Sequence, residues 1–458
     1  MVINVVTDIS HTNNPNKIIE CMKNELLQKI QDRSLVFGVV GLGYVGLPLA
    51  VAKAQAGFKT IGFDLQQGKV DKINAGISYV DDVDSEELAA VVADGRLSAT
   101  HDFSFIDHVD AVAICVPTPL DAHQQPDLSY IQSSAQAIAK HLHRGMIVVL
   151  ESTTYPGTTE ELLRPILESS GLHVGTDFYL GFSPERVDPG NATFNTANTP
   201  KVVGACSEEG CEVIAAMYES FLDTKVYRVS SPAVAEMTKL LENTYRNINI
   251  GLINSFATLC HHMHISPWEV IDAAKTKPFG FQAFYPGPGL GGHCIPLDPY
   301  YLSWKARSYG FHTSMIEASM TINDQMPNYC VSRLTEVLSQ RVAKAINGAR
   351  VLVLGVAYKA DIDDCRESPA LRVMDIMHQR GALVSFYDPY VHKLRYKEVD
   401  YDTCDQLTPE WIESFDAVII TTGHKCVDYG MVQQHAKVIF DTRNAMKHIT
   451  PRHNIEVL

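Results

Sequence analysis

Cys294 lies in the stretch Gly287-Pro288-Gly289-Leu290-Gly291-Gly292-His293-Cys294-Ile295-Pro296-Leu297-Asp298-Pro299, whose four glycines and three prolines disfavour both a stable helix and a central strand. A loop of this composition leaves little side-chain bulk around one thiol and lets backbone approach a ligand closely. A thiolate there could add to an electrophilic carbon, and Asp298 could act near the sulfur or orient a proton-transfer partner. The thiol alone would serve equally well as a small buried hydrophobe, so a chemical role requires further groups. Glu185, in Ser183-Pro184-Glu185-Arg186 after an apolar run, could be a base that activates water, or a surface carboxylate. Lys239, Asn243 and Arg246 fall together on one side of a helical segment, where they form either a solvated face or the wall of a pocket.

These groups need elements to hold them. Residues 35–40 have the pattern of a buried strand that ends in Gly41-Leu42-Gly43-Tyr44-Val45-Gly46 and passes into a small-residue helix over 47–56. A second strand, 60–63, ends in Asp64, at the spacing of about 20 residues that a dinucleotide site requires. Gly41 makes the tight turn, Gly43 lets a pyrophosphate reach the backbone, and Gly46 lets helix and strand pack closely, with Tyr44 and Val45 in the same turn. Asp64 would accept the ribose hydroxyls, and no arginine follows it to hold a 2′-phosphate, which favours NAD over NADP. Strands over 111–116 and 147–150 deliver Thr118 and Thr153 to the same edge, to touch the cofactor or to cap helices.

After residue 227 the pattern becomes a long helix, with Ser231 as N-cap, Pro232 at its first position and an apolar stripe at Val234, Met237, Leu241, Tyr245, Ile248, Leu252, Phe256 and Leu259. The stripe is expected to bury one side, and a helix this long suggests a dimer or inter-domain spine. A second alternating α/β unit starts at Arg350, with Lys359 and Arg366 in the loop between its first strand and a helix capped by Ser368. The expected architecture is α/β: two doubly wound Rossmann-like domains joined by a long central helix and a helical middle domain. The divisions are an N-terminal arm over 1–33, a NAD-binding domain over 34–226, a helical domain with the cysteine loop over 227–342 and a second α/β domain over 343–458.

A net charge of −15 over 458 residues argues against a general nucleic-acid or anionic-membrane surface. The ten cysteines show neither a C-x-x-C pair nor metal-ligand spacing, so neither a zinc site nor a disulfide framework is expected. No apolar run is long enough to span a bilayer and no signal peptide is evident, so the expectation is a soluble cytoplasmic protein.

Gly41 through Pro48, the Lys239/Asn243 helix, Gly291 through Pro299 and Lys359 through Pro369, in that order, resemble the UDP-glucose/GDP-mannose dehydrogenase family over nearly the whole chain after the arm. Glu151 through Glu160, Ser183 through Asn191 and Lys277 through Phe281 are similar to the branch that oxidises UDP-N-acetylhexosamines. The resemblance implies a four-electron oxidation of a sugar C6 alcohol to a carboxylate with two NAD reduced in turn, on UDP-N-acetyl-D-glucosamine or else its mannosamine, galactosamine or glucose counterpart, for surface polysaccharide. It implies Cys294 as nucleophile, Lys239 and Asn243 at the oxyanion, Asp298 in proton transfer, and Thr153 and Glu185 with the water. Arg366 is then a cofactor contact, and Lys359, Arg186, Arg246, Tyr285 and Gly291 join Glu185, Lys239 and Asn243 around the UDP-sugar. Two other readings compete: an alcohol dehydrogenase that stops at the aldehyde with Cys294 merely packed, and a nucleotide-binding protein without turnover.

Overall fold

Strand β1 (Phe37–Val40) is buried along its whole length, and a strand apolar on both faces must be covered on both faces. It lies inside an eight-stranded sheet with β2 (Thr60–Phe63), β3 (Leu97–Thr100), β4 (Ala111–Ile114), β5 (Ile147–Leu150), β6 (Tyr179–Phe182), β7 (Lys201–Ala205) and β8 (Val226–Val229). The order is β3-β2-β1-β4-β5-β6-β7-β8, parallel except where β6 meets β7. One core, with Phe37, Val39, Leu47 and Ile214, fills one face, and another, with Val40, Phe63, Val112 and Phe182, fills the other. Winding reverses between β1 and β4, which opens a crevice at the carboxyl ends of those strands.

The computed structural model describes residues 15–80, 82–121, 123–188 and 193–458, so most of the first half of the expected arm lies outside the described residues. The described part of the arm is largely helix Pro15–Gln31. Its Leu26 and Ile30 join the first core, and Lys23 pairs with Glu212 at 2.5 Å and Lys29 with Asp110 at 3.0 Å.

The chain divides into two compact units at Leu241/Glu242, within helix Pro232–His262. The second unit holds β9 (Arg350–Leu354), β10 (Leu383–Tyr387), a small hairpin of β11 (Arg395–Tyr396) and β12 (Val399–Asp400), β13 (Asp402–Thr403), β14 (Ala417–Ile420), β15 (Ile439–Asp441) and β16 (Ile455–Val457). Its six-stranded sheet runs β13-β10-β9-β14-β15-β16, all parallel, with the same reversal between β9 and β14.

Two sequence expectations fail on the helices. The apolar stripe of Pro232–His262 is exposed: Val234, Met237, Leu241, Tyr245, Leu252, Phe256 and Leu259 keep between 42% and 64% of their surface. The buried side is polar instead, with Glu236, Lys239, Asn243, Asn247 and Asn254, because hydrogen bonds to neighbouring elements satisfy its amides. Cys294 is also not in the loop but is the first residue of helix Cys294–Arg307, since Pro296 falls in the first turn, where N–H groups have no intrahelical partner and a proline costs little.

Candidate active site

In the first unit, Gly41 has φ +89°, and a Cβ there would stand 2.6 Å from the Cys115 carbonyl oxygen. At Gly46 a Cβ would be 1.8 Å from the Gly41 oxygen, so the helix Gly46–Gln55 can start this close to β1 only with glycine. A Cβ at Gly43 would meet nothing within 4 Å, which leaves the turn open toward the crevice. Asp64 ends β2 with Oδ2 accepting from the Leu42 N–H at 3.0 Å and from Lys69 Nζ at 3.2 Å. Tyr44 is exposed and Val45 half-buried in this turn, Thr118 is buried beyond β4, and Thr153 is half-buried beyond β5. A glycine cradle at a helix N-terminus with an acid one strand away fits NAD: backbone N–H groups of the turn would hold the pyrophosphate and Asp64 the ribose.

Glu185 follows β6. Its Oε1 accepts from the Arg186 and Val187 N–H groups, each at 2.7 Å, and its Oε2 is 3.4 Å from Lys201 Nζ. Burial pushes the Glu185 carboxyl up, but Lys201, those N–H groups and the charge of Lys239 outweigh it, so the carboxyl titrates below its usual range. Lys201 is itself buried, at 2.6 Å from Glu151 Oε2, and also donates to the Pro184 carbonyl. The Tyr218 hydroxyl donates to the other Glu151 oxygen. Although burial alone would lower it, Glu151 and Glu185 hold the Lys201 ammonium above the usual lysine range. Sequence reasoning missed Glu151, Lys201 and Tyr218 as supports of Glu185; a lysine opening an otherwise apolar strand was the available signal. Arg186 donates to the Pro200 carbonyl at 2.8 Å.

In the second unit, Cys294 is exposed at the start of its helix, where the aligned peptide dipoles favour negative charge. One turn on, Asp298 is buried and accepts from Asn243 Nδ2 at 2.5 Å. Gly291 and Gly292 are needed for contact: a Cβ on either would come within 2.9 Å of Tyr358 side-chain atoms, and the Gly292 N–H donates to the Arg366 carbonyl at 3.1 Å. Lys359 is half-buried in the loop after β9, and the Arg366 guanidinium lies on Asp364 at 2.7 to 3.0 Å. Arg246 is exposed, and Tyr285 stacks on Trp268 with centroids 6.1 Å apart. The structure thus joins Asn243 to Asp298, and Glu185 to Lys201 within the field of Lys239. Arg246 joins no such cluster among the described residues.

Arg443, after β15, was not singled out from sequence. It donates from Nε to the Thr421 carbonyl at 2.9 Å, and its guanidinium fills the space a Gly287 Cβ would need. A basic residue just beyond a buried strand of the second sheet was the signal for it. The second crevice repeats the first: Gly355 has φ +81°, and Asp388 accepts from the Val356 N–H at 2.7 Å as Asp64 does from Leu42. Here, however, His424 Nε2 lies 3.0 Å from Asp388 Oδ2, with both side chains fully buried, so this acid is occupied.

Three domain descriptions of one family match in order: the NAD binding domain over residues 36–222, the central domain over 233–325 and the UDP binding domain over 352–448. UDP-N-acetyl-D-glucosamine 6-dehydrogenase of Pseudomonas aeruginosa is 39% identical over 395 residues, 86% of this chain and 91% of that protein. UDP-N-acetyl-D-mannosamine dehydrogenase of Pyrococcus horikoshii is 35% identical over 416 residues, 89% of this chain and 95% of that protein. A solved structure of the UDP-D-ManNAc dehydrogenase from Pyrococcus horikoshii superposes with a TM-score of 0.84 at 33% identity, covering 92% of this chain and 99% of that one. The chain therefore belongs to the UDP-glucose/GDP-mannose dehydrogenase family of NAD-dependent oxidoreductases.

Proposed function

We propose that the chain oxidises the C6 alcohol of UDP-N-acetyl-D-glucosamine to the carboxylate through a covalent intermediate on Cys294. The observation that carries the reaction is the exposed thiol at a helix N-terminus, one turn from an aspartate bonded to Asn243. When bound, NAD accepts the hydride of each oxidation. The rest falls to the chain. Loss of a hydride and a proton turns the alcohol into an aldehyde, which has no second hydride to give until a nucleophile adds. The Cys294 thiolate adds to form a thiohemiacetal, and Lys239 and Asn243 stabilise its oxyanion. Loss of the second hydride leaves a thioester. Glu185, ionised by its neighbours, takes a proton from water held with Thr153, and hydrolysis releases the acid and the thiol. Arg443 and Lys359, both basic and in loops after strands of the second sheet, would hold the diphosphate of the sugar nucleotide.

The choice of sugar rests on the higher identity to the N-acetylglucosamine enzyme, 39% against 35%. The N-acetylmannosamine reading has its own support in the TM-score of 0.84. End-point NADH from limiting sugar separates them in a panel of UDP-N-acetylglucosamine, UDP-N-acetylmannosamine, UDP-N-acetylgalactosamine and UDP-glucose. Two NADH per UDP-N-acetylglucosamine, at the highest kcat/KM of the panel, is the expected result, and preference for another sugar would reassign the substrate.

We also infer a homo-oligomer closed by the exposed stripe of Pro232–His262, and a reducing, cytoplasmic setting in keeping with ten unbridged cysteines. Leu252→Glu, at the middle of the stripe, should halve the mass in sedimentation or raise the dissociation constant at least about tenfold, as expected for a charge buried in an apolar contact. Unchanged mass would move the contact elsewhere.

A further inference from the structure

The buried side of helix Pro232–His262 carries amides that the chemistry above leaves unused. Asn254 Oδ1 accepts from the Gly287 N–H at 3.0 Å, and its Nδ2 donates to Asn323 Oδ1 at 2.9 Å. Asn323, on helix Ser314–Val342, donates to the Asn247 carbonyl at 3.1 Å, and Ser319 on the same helix donates to Asn247 Oδ1 at 2.8 Å. Asn247 Nδ2 donates in turn to the Ile295 carbonyl at 3.1 Å. These bonds start on the first glycine of the loop and end one residue past Cys294. All three asparagines are at most 3% exposed.

Two features separate this relay from ordinary core polarity. The Ile295 carbonyl is orphaned by the sequence, because Pro299, which would be its partner in the helix, has no N–H; Asn247 supplies the missing bond. The loop from Gly287 to Gly292 also has few side chains with which to pack itself into place, so its path depends on what grips its ends. Apolar side chains of similar shape would hold the two helices together as well or better, so the amides make sense as devices of placement rather than of stability.

We propose that Asn247, Asn254 and Asn323 are positioning residues for Cys294: they tie both ends of the glycine loop to one pair of helices and so set the sulfur relative to Asp298 and Asn243. This rests on Cys294 being the nucleophile. The test supplies the C6 aldehyde of the UDP-N-acetylhexosamine that the panel selects. Its oxidation with NAD needs the thiol, whereas its reduction with NADH runs the first step backwards and does not. Asn254→Ala and Asn247→Ala should each slow aldehyde oxidation about 10- to 100-fold, the loss expected from a nucleophile misplaced by about 1 Å, and slow reduction by less than about threefold. Asn254→Asp, which keeps the acceptor for Gly287, should recover most of the oxidation. Equal losses in both directions would make the role structural and overturn the proposal, as would no loss in either. The two alanine variants cut opposite ends of the relay, so one that folds is enough. Cys294→Ala is run alongside: if it oxidises the aldehyde normally, the nucleophile assignment fails and the relay with it. If it does not, while the asparagine variants do, only the relay falls.

Discussion

Cys294→Ala should abolish the carboxylate product and lower turnover by at least roughly 10³-fold, the scale of losing a covalent nucleophile. The first oxidation needs no thiol, so the variant should still reduce the aldehyde with NADH and should bind NAD and UDP-sugar within about threefold of the parent. From limiting sugar it should give no more than one NADH. Asp298→Asn keeps the shape beside Asn243 but removes the carboxylate, and should cost about 10²-fold, within the range for a proton-transfer group. Rapid-quench analysis of sugar products together with NADH yield checks both variants. A Cys294→Ala enzyme that still delivers two NADH and the acid would reduce the thiol to packing and leave the first residue of its helix without a chemical role.

Lys53→Met should stabilise the protein by roughly 3 kcal/mol at neutral pH. Lys53 is fully buried, with Nζ 4.3 Å from the Phe37 ring centroid and without a hydrogen-bond partner among the described residues. Burial lowers its pKa from 10.5 to about 8, although Glu151 pulls the other way. Below pH 8 the amine is charged in folded and unfolded chains alike, and the cost of burying that charge is fully present. Between pH 8 and 10.5 the unfolded chain keeps a proton the folded one has lost, so this residue's cost shrinks as pH rises and is gone above 10.5. Denaturant unfolding of parent and variant across pH 7 to 11 should therefore give curves that converge on the alkaline side. A gain independent of pH would mean that methionine packing, not the removed charge, is responsible. The substitution lies outside the residues assigned to chemistry, so turnover should stay within about twofold.

Local backbone demands were the most legible part of the chain. Gly41, Gly43, Gly46 and Asp64 have roles set by a turn, an open approach, a close contact and a strand end, all of which depend on neighbours in sequence. Asn243 and Asp298 were each singled out through family resemblance, in separate roles; the hydrogen bond between them joins residues far apart in the chain and is visible only in the structure. Helix Pro232–His262 misled for a definite reason. An apolar stripe is expected to face its own core, but here the stripe is exposed and the polar side finds its hydrogen bonds in neighbouring elements. The pairing of Lys201 with Glu151 was not legible because a buried ion pair leaves no periodic trace: a lysine opening an apolar strand looks misplaced until its partner is beside it.

His424, seated on Asp388, bears on the choice of inhibitors. A ligand designed to anchor its ribose on a strand-end carboxylate would need to displace only the partly exposed Lys69 at Asp64, whereas Asp388 and His424 are fully buried together. Adenosine mimics should then compete with NAD while leaving uridine-type ligands in place, and a compound that blocked both would have to gain its second foothold from something other than a sugar diol.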